Sequence, residues 1–285
     1  MMSTPLVFPK AEAARLEPYL PPLSAGSMGS HVDTLPFVTL TFATSLDSAL
    51  SLGPGIRTAI SGPQSKAMTH YLRSRHEAIC VGVGTAIADD PGLSCRLLAA
   101  GNAGTVAAAT PAGGCGPDDN SASPTTSKVM QLARAGEGLA PYILTAVAEP
   151  PVDKRKLLEE HGGKFVILGP TQSKDQNSKG GCRRFDWRAI LAAVREEGLR
   201  SIMIEGGGAV INSLLSAGNT ELIGSVIVTI APTWLGQGGV VVSPPRPPGE
   251  GVHFGPVAQL TDTMWLPLGE DAVLCGRIAS SAYHR

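Results

Sequence analysis

The feature that most limits what this chain can fold into is an alternation of short apolar runs with amphipathic stretches. PYILTAV (141–147), KFVILG (164–169) and SIMIEGG (201–207) are separated by DKRKLLEEHG (153–162) and DWRAILAAVREEG (186–198). The apolar runs have the length of buried strands and the intervening segments carry helical spacing, which together imply βαβ units and a mostly parallel sheet flanked by helices. The end of the chain changes character. SVIVTIAP (225–232), VAQLTDTMWL (257–266) and AVLCGRI (272–278) follow one another without helices, interrupted only by the loop SPPRPPGEG, so antiparallel strands are expected to complete the sheet.

The front half supplies further elements. FVTLTFA (37–43) alternates as a strand and ends in a turn at Ser45 to Asp47; RTAIS (57–61) reads as a strand, and a helix begins near Pro63 and carries Arg73. AICVGV (78–83) is another buried strand. Residues 1–35 are rich in Pro, Ser and Gly, with a brief helical patch near Lys10 to Tyr19, and are expected to form a largely mobile tail. Residues 99–127 are too poor in large apolar side chains to pack and read as a disordered, dispensable insertion. One α/β domain over 36–285 results, and 43% hydrophobic residues in a chain of 285 suffice for its core.

Two strand-to-helix junctions carry chemistry. In GVGTAIADDPGLSCR (82–96) Gly82 and Gly84 permit a sharp turn, while Thr85 and Asp89 lie one helical turn apart and can face one ligand. The bland alternative is an N-cap by Thr85 followed by a solvated Asp-Asp-Pro turn. In SIMIEGGGAVI (201–211) a strand runs into Glu205 and three glycines before a helical segment, a geometry suited to holding an anion on bare backbone N–H groups. A carboxylate would repel a phosphate, so Glu205 is more plausibly there for a substrate. The alternative is a tight connection with no ligand.

Several classes are excluded. GVGTAIA lacks the third glycine of a dinucleotide fingerprint, no acid follows at about twenty residues, and no phosphate loop of the G-x-x-x-x-G-K-[ST] type occurs. A net charge of −1 offers nothing to nucleic acid or to an anionic membrane. Apolar runs fall short of the roughly twenty residues that span a bilayer, and the start of the chain lacks the basic-then-apolar order of a signal peptide, so a cytoplasmic protein is expected. The five cysteines are scattered without C-x-x-C pairs, which argues against disulfides and structural zinc; His76-Glu77-Ala78 lacks the remainder of a zinc-deaminase signature, and no metal is expected.

The order FVTLTFATSLD, HYLRSRHEAICVGVGTAIADDPGLSCR, SIMIEGGGAVINSLL and VTIAPTWLGQGG resembles the riboflavin-pathway reductases, which are related in fold to dihydrofolate reductase. The resemblance covers about residues 36 to 278 without the insertion. It implies a dihydrofolate-reductase-like fold, NADPH as cofactor, a ribosylaminopyrimidine phosphate as substrate and a homodimer, the last also suggested by SVIVTIAP and the VVV segment near a sheet edge. Ala43, Thr85, Asp89 and the turn Gly206, Gly207, Gly208, Ala209, Val210 match cofactor positions. Arg73, Leu93, Arg96 and Glu205 match substrate positions, the two arginines being suited to a phosphate by their planar fork. Glu205 and Asp47 are the carboxyl candidates for proton delivery, Asp47 with a turn-forming role as its alternative. Where bacterial bifunctional relatives read S-x-W-I-T, this chain has Arg57 to Ser61 without the tryptophan. Two other functions stay open: a dihydrofolate-reductase-like enzyme acting on another pterin or pyrimidine, and a nucleotide-binding paralogue without catalysis.

Overall fold

The computed structural model describes residues 6–23, 35–95, 126–169, 185–246 and 256–279. Its elements in chain order are α1 (Lys10–Leu16), β1 (Phe37–Thr44), β2 (Ala49–Ser51), α2 (Pro63–Ser74), β3 (Ala78–Val81), α3 (Val83–Asp89), α4 (Lys128–Arg134), β4 (Tyr142–Thr145), α5 (Val152–Glu159), β5 (Lys164–Ile167), α6 (Trp187–Glu196), β6 (Ser201–Gly206), α7 (Gly208–Leu214), β7 (Ser225–Ile230), β8 (Val240–Val241), β9 (Leu260–Leu268) and β10 (Asp271–Ile278). A six-stranded sheet in the order β3-β6-β1-β7-β10-β9 forms the centre. Pairing is parallel from β3 through β7 and antiparallel for β10 and β9, as the switch from alternating to consecutive strands predicts.

Side chains on successive residues of β6 go to opposite faces. Ile202 and Ile204 join Val38 and Leu40 of β1 under Trp187, Ile190, Leu191 and Val194 of α6, while Met203 joins Ile227, Val273 and Cys275 under Met68 and Leu72 of α2. The sheet is therefore buried on both faces, which is why its parallel strands are nearly continuous in apolar residues. α6 starts cleanly because Asp186 at its N-cap accepts from the Arg188 backbone N–H at 3.1 Å.

Four expectations are corrected. Residues 57–61 are not a strand: the Thr58 hydroxyl accepts from the Leu52 N–H and donates to the Ile56 carbonyl, so a side chain has taken over the local backbone pairing. β4 and β5 form a separate parallel pair rather than extending the central sheet. β7 lies between β1 and β10, so SVIVTIAP is interior, and the VVV segment supplies β8, which pairs with β2. Finally, the N-terminal region is not a mobile tail throughout. Leu16, Tyr19 and Leu20 are buried in the α2-side core, and Leu16 is fully enclosed, a burial of about 2 kcal/mol that a mobile segment would forgo. The rest of the expected tail and most of the insertion at 99–127 lie outside the described residues.

The same N-terminal segment caps the outer strand β9. Arg15 donates to the Trp265 carbonyl at 3.0 Å and the Tyr19 hydroxyl donates to the Asp262 carbonyl at 2.6 Å, while Arg277 ties the segment back through the Pro18 carbonyl at 2.8 Å. With Pro267 in the strand as well, β9 has fewer groups to offer another chain's edge.

Under α2 a buried polar group holds β1 to β7. His76 contacts the Leu72 carbonyl through Nδ1 at 2.6 Å and the Thr39 hydroxyl through Nε2 at 2.8 Å. A carbonyl only accepts, so Nδ1 carries the proton and the Thr39 hydroxyl donates to Nε2; the Ser225 hydroxyl in turn donates to Thr39 Oγ1 at 3.1 Å. Burial pushes the imidazole down from 6.5 to about 4, so it stays neutral in the folded protein. The unfolded chain takes up a proton near pH 6.5 that the folded chain refuses until about pH 4. Stability is therefore expected to fall as pH drops through this window, by up to about 3 kcal/mol. Carboxylates with depressed pKa such as Glu17 and Glu77 lose their contribution only below about 4.5, which leaves the upper part of the window to His76. Calorimetry should show the melting temperature declining from pH 6.5 to 4.5 in the wild type and a flatter profile in His76→Gln; a wild-type profile already flat there overturns the assignment.

Candidate active site

β3 and β6 run parallel as neighbours, so the turns at their carboxyl ends emerge side by side. Val81 is in register with Gly206, and the Gly82 N–H donates to the Gly206 carbonyl at 3.0 Å. A Cβ on Gly82 would stand 2.8 Å from Val210 Cγ2, so the bare backbone there lets α7 approach β3. Gly206 and Gly207 both take left-handed backbone, with φ of 109° and 85°. A Cβ on Gly207 would meet Thr85 Oγ1 at 2.7 Å, which places the Thr85 hydroxyl directly against the second glycine turn. The two glycine segments, about 120 residues apart in the chain, thus form one wall at the carboxyl ends of the parallel strands, where ligands of open α/β sheets bind.

Thr85 and Asp89 occupy one face of α3, a turn apart. Gly82, not Thr85, is the N-cap, because the helix starts earlier than a hydroxyl cap would require; this leaves the Thr85 side chain inside the first turn. Asp90 ends α3 with φ of 40°, and its carboxylate accepts from the Lys128 N–H at 2.8 Å. Of the second turn, Ala209 is exposed, whereas Val210 is buried against Gly82 and belongs to the packing. Ala43 lies half-buried near the end of β1, opposite Thr229 of β7.

The substrate-side candidates divide. Leu93 has φ of 44° and a side chain only 2% exposed, packed with Ile79 and Val81, so it can present backbone but not side chain to a ligand. Arg96 lies outside the described residues. Arg73, at the last turn of α2, does not present a vacant fork: its Nε and Nη2 donate to the two Glu205 carboxylate oxygens at 2.5 and 2.6 Å, and its Nη1 donates to the Ser94 carbonyl at 3.0 Å. Both side chains are largely buried, at 14% and 15% exposure. The pair ties α2, the end of β6 just before the glycines, and the segment after α3 to a single guanidinium.

Asp47 is a loop clamp. Its Oδ1 accepts from the Ser45 hydroxyl at 2.5 Å and the Leu235 N–H at 3.1 Å, and its Oδ2 from the Gly236 N–H at 2.7 Å. The Ser45 hydroxyl and the Leu235 and Gly236 amides hold its carboxyl down to about 2, an arrangement that suits the turn-forming alternative for this residue. The Leu46 N–H, donating to the Thr233 carbonyl at 2.8 Å, completes the join between the loops after β1 and β7. This clamped loop carries Trp234, 73% exposed, which no spacing rule singles out. The available signal was a tryptophan inside the glycine-rich APTWLGQGG immediately after a buried strand. Above the glycine turn, β8 closes over Gly208, whose lack of a side chain admits Val240.

Among the described residues, no group of three His, Cys, Asp or Glu side chains is placed to hold a metal ion, and no helix is long and apolar enough to cross a membrane.

Comparison with known proteins agrees with this layout. Residues 36–274 match the family described as the RibD C-terminal domain. The 2,5-diamino-6-ribosylamino-4(3H)-pyrimidinone 5′-phosphate reductase of Debaryomyces hansenii is 36% identical over 271 residues, covering 92% of this chain and 98% of the relative. The Saccharomyces cerevisiae protein of the same name is 35% identical over 269 residues, with 93% and 94% covered. The solved structure of the Saccharomyces cerevisiae riboflavin biosynthesis reductase superposes with a TM-score of 0.69 at 30% identity, covering 94% of this chain and 99% of that one. RibD of Acinetobacter baumannii shares the fold at a TM-score of 0.63 and 18% identity, over 87% of this chain and 59% of that one. The chain, with its dihydrofolate-reductase-like sheet, thus belongs to the RibD C-terminal domain family.

Proposed function

We propose that this chain reduces the ribosyl side chain of 2,5-diamino-6-(ribosylamino)-4(3H)-pyrimidinone 5′-phosphate to the ribityl form in riboflavin biosynthesis, with NADPH as the reductant. The observation that carries the reading is the joint wall of Gly206, Gly207 and Thr85 at the carboxyl end of the parallel strands, in a chain whose relatives at about 35% identity bear that reductase name. The donor set fits a dinucleotide: left-handed bare backbone at Gly206 and Gly207 suits close approach by a pyrophosphate, and the Thr85 hydroxyl stands beside it. Ala43, Asp89, Gly208 and Ala209 complete the proposed cofactor side. Bound there, NADPH supplies a hydride.

In the ring-opened imine form of the substrate, C1′ would receive a hydride and the adjoining nitrogen a proton, so that the C=N double bond would become a C–N single bond. The protein's part is chiefly alignment and exclusion of water. Glu205, one residue before the glycine turn and fixed in orientation by Arg73, is the carboxylate suited to hold the polar edge of the pyrimidine. Arg96 is proposed as the phosphate ligand. The insertion is proposed to be dispensable and the protein to act in the cytoplasm. The preference for phosphorylated substrate separates this reading from a general pterin or pyrimidine reductase, and turnover separates it from a silent paralogue.

Absorbance at 340 nm should fall when the purified protein is mixed with NADPH and the diaminopyrimidine phosphate, and no oxidation above background would reject the reading. Thr85→Ala is the preferred cofactor probe, because a side chain at Gly207 would be strained by its φ of 85° and would strike Thr85. Loss of the hydroxyl should weaken NADPH binding by about five- to tenfold, the size of one hydrogen bond, with the melting temperature little changed. A homodimer is proposed as well, supported by exposed Trp265 on the outer strand β9. Sedimentation velocity that finds only monomer at micromolar concentration would reject it.

A further inference from the structure

We propose that Trp234 is a ligand-binding residue whose indole stacks on a flat nitrogen heterocycle in the crevice, the nicotinamide of the cofactor or the pyrimidine of the substrate, and that Asp47 positions it; this rests on the reductase reading above. An indole gains much from burial, yet this one is 73% exposed. The backbone that carries it is held on both sides. The Thr233 N–H donates to the Ala231 carbonyl at 2.8 Å, and the Thr233 carbonyl accepts from the Leu46 N–H at 2.8 Å. On the other side the Leu235 and Gly236 N–H groups donate to the Asp47 carboxylate at 3.1 and 2.7 Å. Fixed backbone with a ring left in solvent is what a stacking platform requires, because the loop loses no further freedom when a ligand arrives.

The position of the loop selects the ligand. β3, β6, β1 and β7 are parallel neighbours, so Trp234, four residues past the end of β7, stands at the same end of the sheet as the glycine turns. From there the segment runs back to those turns. Gly239 passes so near β2 that a Cβ on it would lie 2.5 Å from the Ser51 carbonyl oxygen, and Val240 lies against Gly208. Asn212 of α7 then donates to the Val241 carbonyl at 2.9 Å and accepts from the Ser243 N–H at 2.7 Å. The strap that bears Trp234 is thus fastened at one end to the loop after β1 and at the other to the helix that starts in the second glycine turn. β6 and β7 are two strand spacings apart, about 10 Å, a span that half of an extended dinucleotide covers. Leu46, 45% exposed, continues the apolar rim beside the indole, whereas the other exposed tryptophan, Trp265, is on the outer strand β9.

Titration calorimetry on wild type, Trp234→Ala, Trp234→Phe, Asp47→Asn and the double variant Asp47→Asn/Trp234→Ala tests this with NADP⁺, with adenosine 2′,5′-bisphosphate, which has the adenine end alone, and with the diaminopyrimidine phosphate. Trp234→Ala should weaken NADP⁺ or the pyrimidine, whichever carries the stacked ring, by about five- to fiftyfold, and leave adenosine 2′,5′-bisphosphate within about twofold. Trp234→Phe keeps a ring and should recover most of the loss. Asp47→Asn removes an acceptor from one of the two amides and should weaken the same probe by a smaller factor. In the double variant it should add nothing to Trp234→Ala, because Asp47 acts through the indole. Unchanged affinity for both ring-bearing probes in Trp234→Ala overturns the inference, and so does a loss shared by adenosine 2′,5′-bisphosphate. A shift from dimer to monomer on sedimentation of Trp234→Ala, with all affinities intact, would make the indole a contact between copies and overturn it as well. These affinities are read without turnover, so the reductase reading fails separately, by the absence of NADPH oxidation in the wild type.

Discussion

The site depends on the parallel pairing of β3 with β6. Register places Val81 opposite Gly206, and the Gly82 N–H to Gly206 carbonyl bond continues the ladder one step past the strand end. Every later feature follows from that step. It sets α3 beside α7, brings the Thr85 hydroxyl against the Gly207 backbone and leaves room for Val210 only because Gly82 has no side chain. The hydrophobic alternation that sends Ile202 and Ile204 to one core and Met203 to the other fixes the pairing as far as Cys80 opposite Ile204, and a register shift past Glu205 then sets Val81 opposite Gly206 and the glycine turns side by side.

Much of this was legible in the sequence because it rests on local patterns. The mostly parallel sheet, its antiparallel finish and the two strand-to-helix turns all follow from periodicity and glycine placement. What escaped depends on non-local partners. The alternation around β4 and β5 announces βαβ units but carries no information on which strands share hydrogen bonds, and these two pair only with each other. SVIVTIAP is apolar enough for an interface and is instead interior, since β10 returns to cover it. At the N-terminus an average over Pro, Ser and Gly conceals Leu16, Tyr19 and Leu20, three side chains that suffice to dock the segment when a waiting groove lies between α2 and β10.

The candidate site shows the same division. Thr85 and Asp89 share a helix face because their spacing alone requires it. Spacing could not reveal that Arg73 and Glu205 neutralise each other, since they are 132 positions apart in the chain. Nor could it show that the Asp47 carboxylate is saturated by the Ser45 hydroxyl and two amides of a loop that begins almost two hundred residues later. Residue type suggests chemistry, while the partners decide whether the group remains available for it.

The charged groups around the crevice accordingly serve rigidity first. Asp47 joins the loops after β1 and β7, Asp90 joins the end of α3 to α4, and Arg73 with Glu205 joins α2, β6 and the segment after α3. Each clamps backbone that glycine or left-handed geometry has made soft, at Gly236, at Asp90 itself and at Gly206 respectively. Hydride transfer demands close alignment and little else from the protein. A site that spends its carboxylates on holding loops suits that demand better than one built around a strong acid. On this view the chemistry is set by distances between backbone segments, and the side chains that matter most are those that hold these distances.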